Sequence, residues 1–118
     1  NVVTVYVFTP NLEHMKYVSE WYEFSKTQPP SYNFIFCGSP GVSLLLPSII
    51  PFHSLPQSCT PSTPLPPPLS FTEHSTLLPL HIDCEVNPFN GRPFFSETIF
   101  YHVPTSALIT TDFYWNYP

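Results

Sequence analysis

The chain has 118 residues, enough for one modest domain, and 42% hydrophobic and 17% aromatic residues supply material for a core. Its net charge is −5 and only three side chains are basic, which argues against binding to a nucleic-acid backbone. No uninterrupted apolar segment reaches the roughly 18 residues that cross a bilayer, so the sequence predicts no transmembrane segment. Charged residues make up 9% and prolines number 17, so the composition departs from that of an ordinary soluble domain.

The three cysteines, Cys37, Cys59 and Cys84, are widely spaced and odd in number. This pattern predicts free thiols rather than a disulfide framework or a Cys-x-x-Cys metal site. Free thiols are typical of a reducing compartment, so we expect an intracellular location.

The first predicted elements are a strand and a helix. Residues 2–8 form an apolar, β-branched run that predicts a buried strand. Apolar residues then recur at helical spacing over 12–26, which predicts one helix of about four turns. Thr9 or Asn11 is the predicted N-cap, and the two prolines within residues 27–30 are expected to end the helix.

A second strand is predicted at 32–37, where aromatic and β-branched residues precede the turn Gly38-Ser39-Pro40-Gly41. A strand, a helix and a strand in this order indicate a parallel βαβ unit. The turn lacks a P-loop lysine and the dinucleotide-binding glycine spacing, so it does not predict a phosphate site.

Residues 42–80 are expected to be an irregular, proline-rich insertion. Between residues 43 and 71, 22 of 29 residues are Leu, Ser, Pro or Phe, and eight prolines oppose both helix and ladder hydrogen bonds. These four amino acids share codons that begin with two pyrimidines. The segment 42–72 therefore resembles a translated pyrimidine-rich tract, and we hypothesise that it is foreign to the native protein.

Residues 81–118 are expected to complete the same partial domain with a turn-rich stretch and a hairpin. Two β-rich runs, 98–103 and 107–111, flank a three-residue turn. The continuous apolar character of the second run predicts an interior strand that ends at Asp112.

Two segments resemble the metallo-β-lactamase superfamily. In its active members a strand leads into a His-x-His-x-Asp-His turn, and these positions fall here on Thr9, Asn11, Glu13 and His14. A later strand ends on a bridging aspartate, which matches Asp112. Two segments are similar in sequence to an uncharacterised domain family of plants and bacteria assigned to that fold. They are Asn-Leu-Glu-His-Met-Lys-Tyr and Leu-Ile-Thr-Thr-Asp-Phe-Tyr-Trp-Asn-Tyr-Pro.

The resemblance implies an α/β fold class: a partial metallo-β-lactamase-like βαβ unit plus a β-hairpin around the proline-rich segment. The expected parts are residues 1–41, 42–80 and 81–118. The chain is expected to be a fragment that lacks flanking strands, and the plant relatives are compatible with a plastid location.

The implied metal ligands are Glu13, His14, His81 and Asp112, around zinc or another divalent metal. Because Thr9 and Asn11 replace the first two histidines of the motif, the resemblance implies a rewritten site. We expect an uncharacterised protein without hydrolase activity, and the alternative is a metal-dependent hydrolase with a reduced mononuclear site using these ligands.

Other patterns leave two further alternatives. Pro29-Pro30-Ser31-Tyr32 fits the motif read by WW domains, so a proline-motif interaction protein is the second alternative. Exposed aromatic residues are expected to cause self-association; they are Phe94, Phe95, Tyr114 and Trp115. A serine hydrolase built from Ser96, Glu97, His102 and Asp112 is rejected because no Gly-x-Ser-x-Gly elbow is present.

Overall fold

The computed structural model describes residues 1–58, 68–69, 77–84, 86–93 and 96–112. It contains both helix and strand, arranged as two compact units, residues 1–55 and residues 56–118. The first unit holds a parallel sheet of three strands and the second holds an antiparallel sheet of three strands. This mixed content agrees with the predicted α/β class at that coarse level.

The first unit follows the predicted strand, helix and strand order. Strand β1 spans Val3–Thr9 and pairs in parallel with β2, Tyr32–Gly38, along its whole length. The strands approach closely at their ends, where a Cβ on Gly38 would overlap the carbonyl of Thr9. Glycine is therefore required at this position because only a residue without a side chain allows the approach.

The helical segment differs from the single helix predicted over 12–26. It begins as a 3₁₀ helix at Glu13–Tyr17 and continues as α1 over Val18–Lys26. Helix α1 ends before the prolines, as predicted, and the Thr27 hydroxyl donates to the Phe24 carbonyl at 2.7 Å. Before the 3₁₀ helix, Asn11 Oδ1 accepts from the amide of His14 at 3.0 Å and closes the opening turn.

The apolar core of the first unit lies between α1 and one face of the sheet. Val18, Phe36 and Ile50 are its buried residues. The rings of Tyr22 and Phe36 meet edge to face with centroids 5.9 Å apart. Partly buried residues complete the cluster: Val7, Tyr22, Phe34, Leu46 and Phe52.

The prediction that residues 42–80 are irregular is wrong at three places, the first of which is a short 3₁₀ helix at Val42–Leu45. Residues Phe52–Ser54 form β3, which pairs in parallel with β2. Residues Leu77–Ile82 form β4, which pairs with the antiparallel strand β5, Glu97–His102. Between these two strands the structure describes residues 55–58 and 68–69, while 59–67 and 70–76 lie outside the described residues. The prolines of the segment therefore did not prevent pairing at its two ends.

Pro79 shows why a proline is tolerated inside β4. The amide of His81 donates to the carbonyl of Gln57 at 2.7 Å, on the side of β4 away from β5. Backbone amides two residues apart point the same way in a strand, so the missing amide of Pro79 also faces that side. Its absence leaves the ladder with β5 intact.

The second unit contains the predicted hairpin. Strand β5 spans Glu97–His102, β6 spans Ala107–Ile109, and the order across the sheet is β4-β5-β6. Ser106 adopts φ 52° in the connecting turn. The prediction of an interior second strand is wrong within the described residues, because β6 lies at the edge with all three residues exposed, while β5 occupies the centre.

Candidate functional site

The strand-to-helix turn predicted as a ligand site is held by hydrogen bonds in the structure. The Thr9 carbonyl accepts from the Ser39 amide at 3.0 Å, and the Ser39 hydroxyl donates to the Pro10 carbonyl. Asn11 is buried and caps the turn through the amide of His14. The Thr9 carbonyl and the Asn11 side chain thus both help to hold the backbone of this turn.

The four predicted metal ligands fall in both units. Glu13 is exposed and His14 is half-buried, both at the start of the helical segment of the first unit. His81 on β4 and Asp112 after β6 belong to the second unit. Within the described residues, no group of three or more His, Cys, Asp or Glu side chains is placed to hold a metal ion. The metal site therefore stays a prediction.

The imidazole of His81 is buried and both of its nitrogens face hydroxyl groups. Nδ1 lies 3.2 Å from the Thr98 hydroxyl, and Nε2 lies 3.1 Å from the Ser96 hydroxyl. Burial lowers the pKa of His81, and the carboxylate of Asp83, 3.8 Å from Nε2, opposes that shift. A metal at this imidazole would have to replace one of the two hydroxyl contacts.

Asp112 is positioned by a second buried group, Glu97. The Asp112 amide donates to Glu97 Oε1 at 2.8 Å, and the Thr111 hydroxyl donates to the same oxygen. Glu97 is 0% exposed, and its Oε2 has no hydrogen-bond partner among the residues that the structure describes. Sequence reasoning considered Glu97 only within a serine triad, because a glutamate that begins a strand carries no signal of burial.

A groove opens along the outer face of the helical segment. It has a volume of about 310 Å³ and is lined by Tyr17, Glu20, Trp21 and Phe24. The Trp21 and Phe24 rings meet edge to face at 5.6 Å between centroids. The three aromatic side chains are 47%, 47% and 49% exposed in chain order, so large ring surfaces face solvent.

The groove was not predicted from the sequence. Trp21 and Phe24 matched the helical spacing of a core face, but the helix buries Val18 and partly buries Tyr22 instead. Successive residues of α1 are about 100° apart around the helix axis, so the ring of Tyr22 can face the sheet only while Phe24 faces away from it. The sequence carries one indication of exposed rings: Trp21, Tyr22 and Phe24 lie so close together that they cannot all share one face of a helix.

Aromatic rings of this segment already attract ammonium groups. Lys16 Nζ lies 5.1 Å from the centroid of Tyr17, and Lys26 Nζ lies 4.4 Å from the centroid of Tyr22. Both distances fall within the roughly 6 Å range of a cation–π contact. The ring of Tyr17 thus belongs to both the groove and a cation–π pair.

The Pro-Pro-x-Tyr segment forms a closed turn. The Tyr32 amide donates to the Pro29 carbonyl at 2.9 Å, and Tyr32 then begins β2. Pro29, Pro30 and Tyr32 are all exposed. A WW domain reads such motifs as an extended polyproline II segment, so this turn would have to open for that contact.

The described cysteines agree with the predicted free thiols. Cys37 and Cys84 form no disulfide, and Cys59 lies outside the described residues. Burial raises the pKa of Cys37 to about 12, which keeps its thiol protonated and unreactive. The residues expected to cause self-association, Phe94, Phe95, Tyr114 and Trp115, also lie outside the described residues.

Comparisons with family models, with curated proteins and with solved structures each found no match to this chain. Among the residues that the structure describes, no helix has the length and apolar character needed to span a membrane.

Proposed function

We propose that this chain is a binding protein that takes a cationic ligand in the aromatic groove, on a partial metallo-β-lactamase-like scaffold that lacks metal-dependent hydrolysis. Support for the scaffold comes from the order of β1, α1, β2 and the hairpin before Asp112. The buried, capping role of Asn11 supports the loss of the metal chemistry, because a histidine ligand would stand there.

The observation that carries the binding proposal is the composition of the groove walls. Three half-exposed aromatic rings present negative π-faces, and Glu20 adds a carboxylate at the same surface. Such a combination favours an organic cation, and above all a quaternary ammonium group, which loses little hydration when it contacts a ring. The volume lies at the small end of the range for ligand sites, which suits a small head group.

Electrostatics of the whole chain favour the same ligand class. The net charge is −5, and the helical segment from Glu13 to Lys26 carries three acidic and two basic side chains. The ammonium of Lys16 beside Tyr17 marks this ring as one that attracts cations, and it also competes for the ring. A ligand without hydrogen-bond donors on its cation can bind through contact with the rings alone.

The test uses choline and its neutral isostere 3,3-dimethyl-1-butanol, titrated into the full chain by calorimetry. We expect choline to bind with a Kd of about 1 mM, and the isostere to bind about fivefold more weakly because it lacks the charge. Equal affinity for the two molecules would reduce the groove to a nonspecific apolar surface and end the proposal.

Variants locate the binding. Trp21→Ala is expected to weaken choline binding about fivefold, and Glu20→Gln is expected to weaken it less. Glu23→Gln is the matched control, because it makes the same charge change on the same helix outside the groove walls. Lys16→Gln should strengthen binding by removing a competing cation. A loss with Glu23→Gln equal to that with Glu20→Gln would contradict a local site.

The sequence also predicted two kinds of protein partner, a WW domain and a second copy of this chain, and both remain proposals. A WW-type partner would use Pro29, Pro30 and Tyr32, whose exposure supports access and whose closed turn opposes it. Self-association would use exposed aromatic residues, and the groove contains three exposed rings. Neither has an observation as specific as the carboxylate and rings of the groove.

A further inference from the structure

The geometry points to Ser96 as a nucleophile activated by His81, which can take an acyl group from a small activated ester. Ser96 is half-buried, and its hydroxyl lies 3.1 Å from Nε2 of the imidazole. This distance is within hydrogen-bond reach, which a serine and its general base require. The site lies in the second unit and is independent of the aromatic groove.

The antiparallel pairing of β4 with β5 explains how the site forms. His81 stands opposite Thr98 in the register, so their side chains share one face of the sheet. Ser96 comes two residues before Thr98 and projects to that same face. The histidine considered for Ser96 from the sequence, His102, stands opposite Leu77 and bonds the Thr105 hydroxyl at 2.7 Å instead.

The Thr98 hydroxyl is placed to accept from the tautomer that the reaction needs. A neutral imidazole carries one proton, and with that proton on Nδ1 it donates to the Thr98 hydroxyl at 3.2 Å. Nε2 then accepts from the Ser96 hydroxyl. Thr98 is a positioning residue in the place where serine proteases use an aspartate. Because a hydroxyl stabilises an imidazolium less than a carboxylate does, the reaction should be limited to activated esters.

The reaction balances without a cofactor. Ser96 Oγ forms a bond to the ester carbonyl carbon while its proton passes to Nε2 of His81, and the Asp83 carboxylate stabilises the resulting imidazolium. The carbonyl–alkoxy bond then breaks, and the Nε2 proton leaves with the alcohol. Water attacks the acyl-serine by the same proton transfers, which releases the carboxylic acid and restores Ser96.

The test is labelling of the full chain with a fluorophosphonate, in which an Oγ–P bond forms and fluoride leaves. We expect one adduct per chain by intact mass, located on Ser96 by peptide mapping. Ser96→Ala should abolish it, while Ser19→Ala, at an exposed helical serine, should leave it unchanged. Absence of an adduct, or an adduct spread over other serines, would overturn the proposal.

Two substitutions at Thr98 separate positioning from folding. Thr98→Val keeps the shape but removes the hydroxyl, and the labelling rate is expected to fall at least tenfold. Thr98→Ser keeps the hydroxyl and should restore most of the rate. His81→Gln should reduce labelling at least as much as Thr98→Val, because it removes the base. Equal rates for Thr98→Val and Thr98→Ser, both folded by circular dichroism, would contradict the proposed tautomer.

Discussion

Residues 1–55 and residues 56–118 both bury apolar side chains, but they bury different polar ones. The first unit packs Val18, Phe36 and Ile50 between a helix and a parallel sheet. In the second unit, the central strand buries Glu97 and Thr98, and its neighbour buries His81. Both units bury apolar side chains, but the polar side chains of the second unit include histidine and glutamate, which can carry a charge near neutral pH. We therefore expect the stability of the second unit to depend more on the hydrogen bonds of buried ionisable groups and on pH.

The largest expected effect is in the apolar interior. Phe36→Ala removes a ring that is 2% exposed and contacts Tyr22, so we expect a loss of about 3–5 kcal/mol in the free energy of unfolding. Urea denaturation followed by circular dichroism measures it. Phe89→Ala, at a ring that is 96% exposed, should change stability by less than about 0.5 kcal/mol. Similar losses for the two variants would refute the assigned core.

A smaller effect is expected from the buried carboxylate. Glu97→Ala removes the acceptor for the Asp112 amide and the Thr111 hydroxyl, which should cost about 1–3 kcal/mol of unfolding free energy. Glu97→Gln retains an acceptor oxygen and should cost less than Glu97→Ala. The same urea experiment measures both losses, and equal losses for glutamine and alanine would contradict the role of the acceptor oxygen, because both substitutions remove the charge and only alanine removes the acceptor.

The smallest expected effect concerns pH. The folded pKa of His81 is lowered, so below the ordinary value of 6.5 the unfolded chain binds a proton that the folded chain excludes. The contribution of neutral His81 to the free energy of unfolding is fully present above pH 6.5. It is lost as the pH falls toward the lower pKa of the folded chain. Urea midpoints at pH 7.5 and pH 5.5 should therefore differ less in His81→Gln than in the wild-type chain.

The matched control for the pH effect is His102→Gln. His102 is half-buried on the same sheet and bonds Thr105, so it tests whether any histidine of the second unit has the same influence. We expect its pH dependence to match that of the wild-type chain. A loss of pH dependence in His102→Gln but not in His81→Gln would assign the effect to the wrong imidazole.

The first unit was largely predictable because its signals are local. The apolar run before Thr9 and the prolines after Lys26 fix the ends of β1 and α1 by side-chain type alone. The pairing of β3 with β2 was missed because it joins residues on either side of a turn and a 3₁₀ helix, Val42–Leu45. The local sequence of Phe52–Ser54 does not indicate that this segment pairs with β2.

The polar groups of the second unit were harder to predict. The sequence predicted His81 as a metal ligand, and it argued against Ser96 as a nucleophile because no Gly-x-Ser-x-Gly elbow is present. The contact between the two side chains depends on the β4–β5 register, which the local pattern does not give. The burial of Glu97 depends on what packs against the central strand, which spacing along β5 does not encode. Sequence pattern therefore found the reactive residue types and missed their pairing.

The packing of residues 42–55 also bears on the hypothesis of a foreign tract at 42–72. Val42 is 0% exposed, Leu55 is 2% exposed, and Ile50 belongs to the core of the first unit. Side chains at the start of the tract therefore contribute to that core, and their removal would leave Phe36 with fewer neighbours. Sequencing of the transcript across codons 42 to 72 tests the hypothesis, and a spliced message that retains them in frame would end it.

The most direct test of the central claim is nuclear magnetic resonance of the full chain during titration with choline. The account predicts that the ring signals of Tyr17, Trp21 and Phe24 shift together and saturate, and that 3,3-dimethyl-1-butanol shifts them far less. Shifts confined to residues outside the groove, or identical shifts with the neutral molecule, would contradict it.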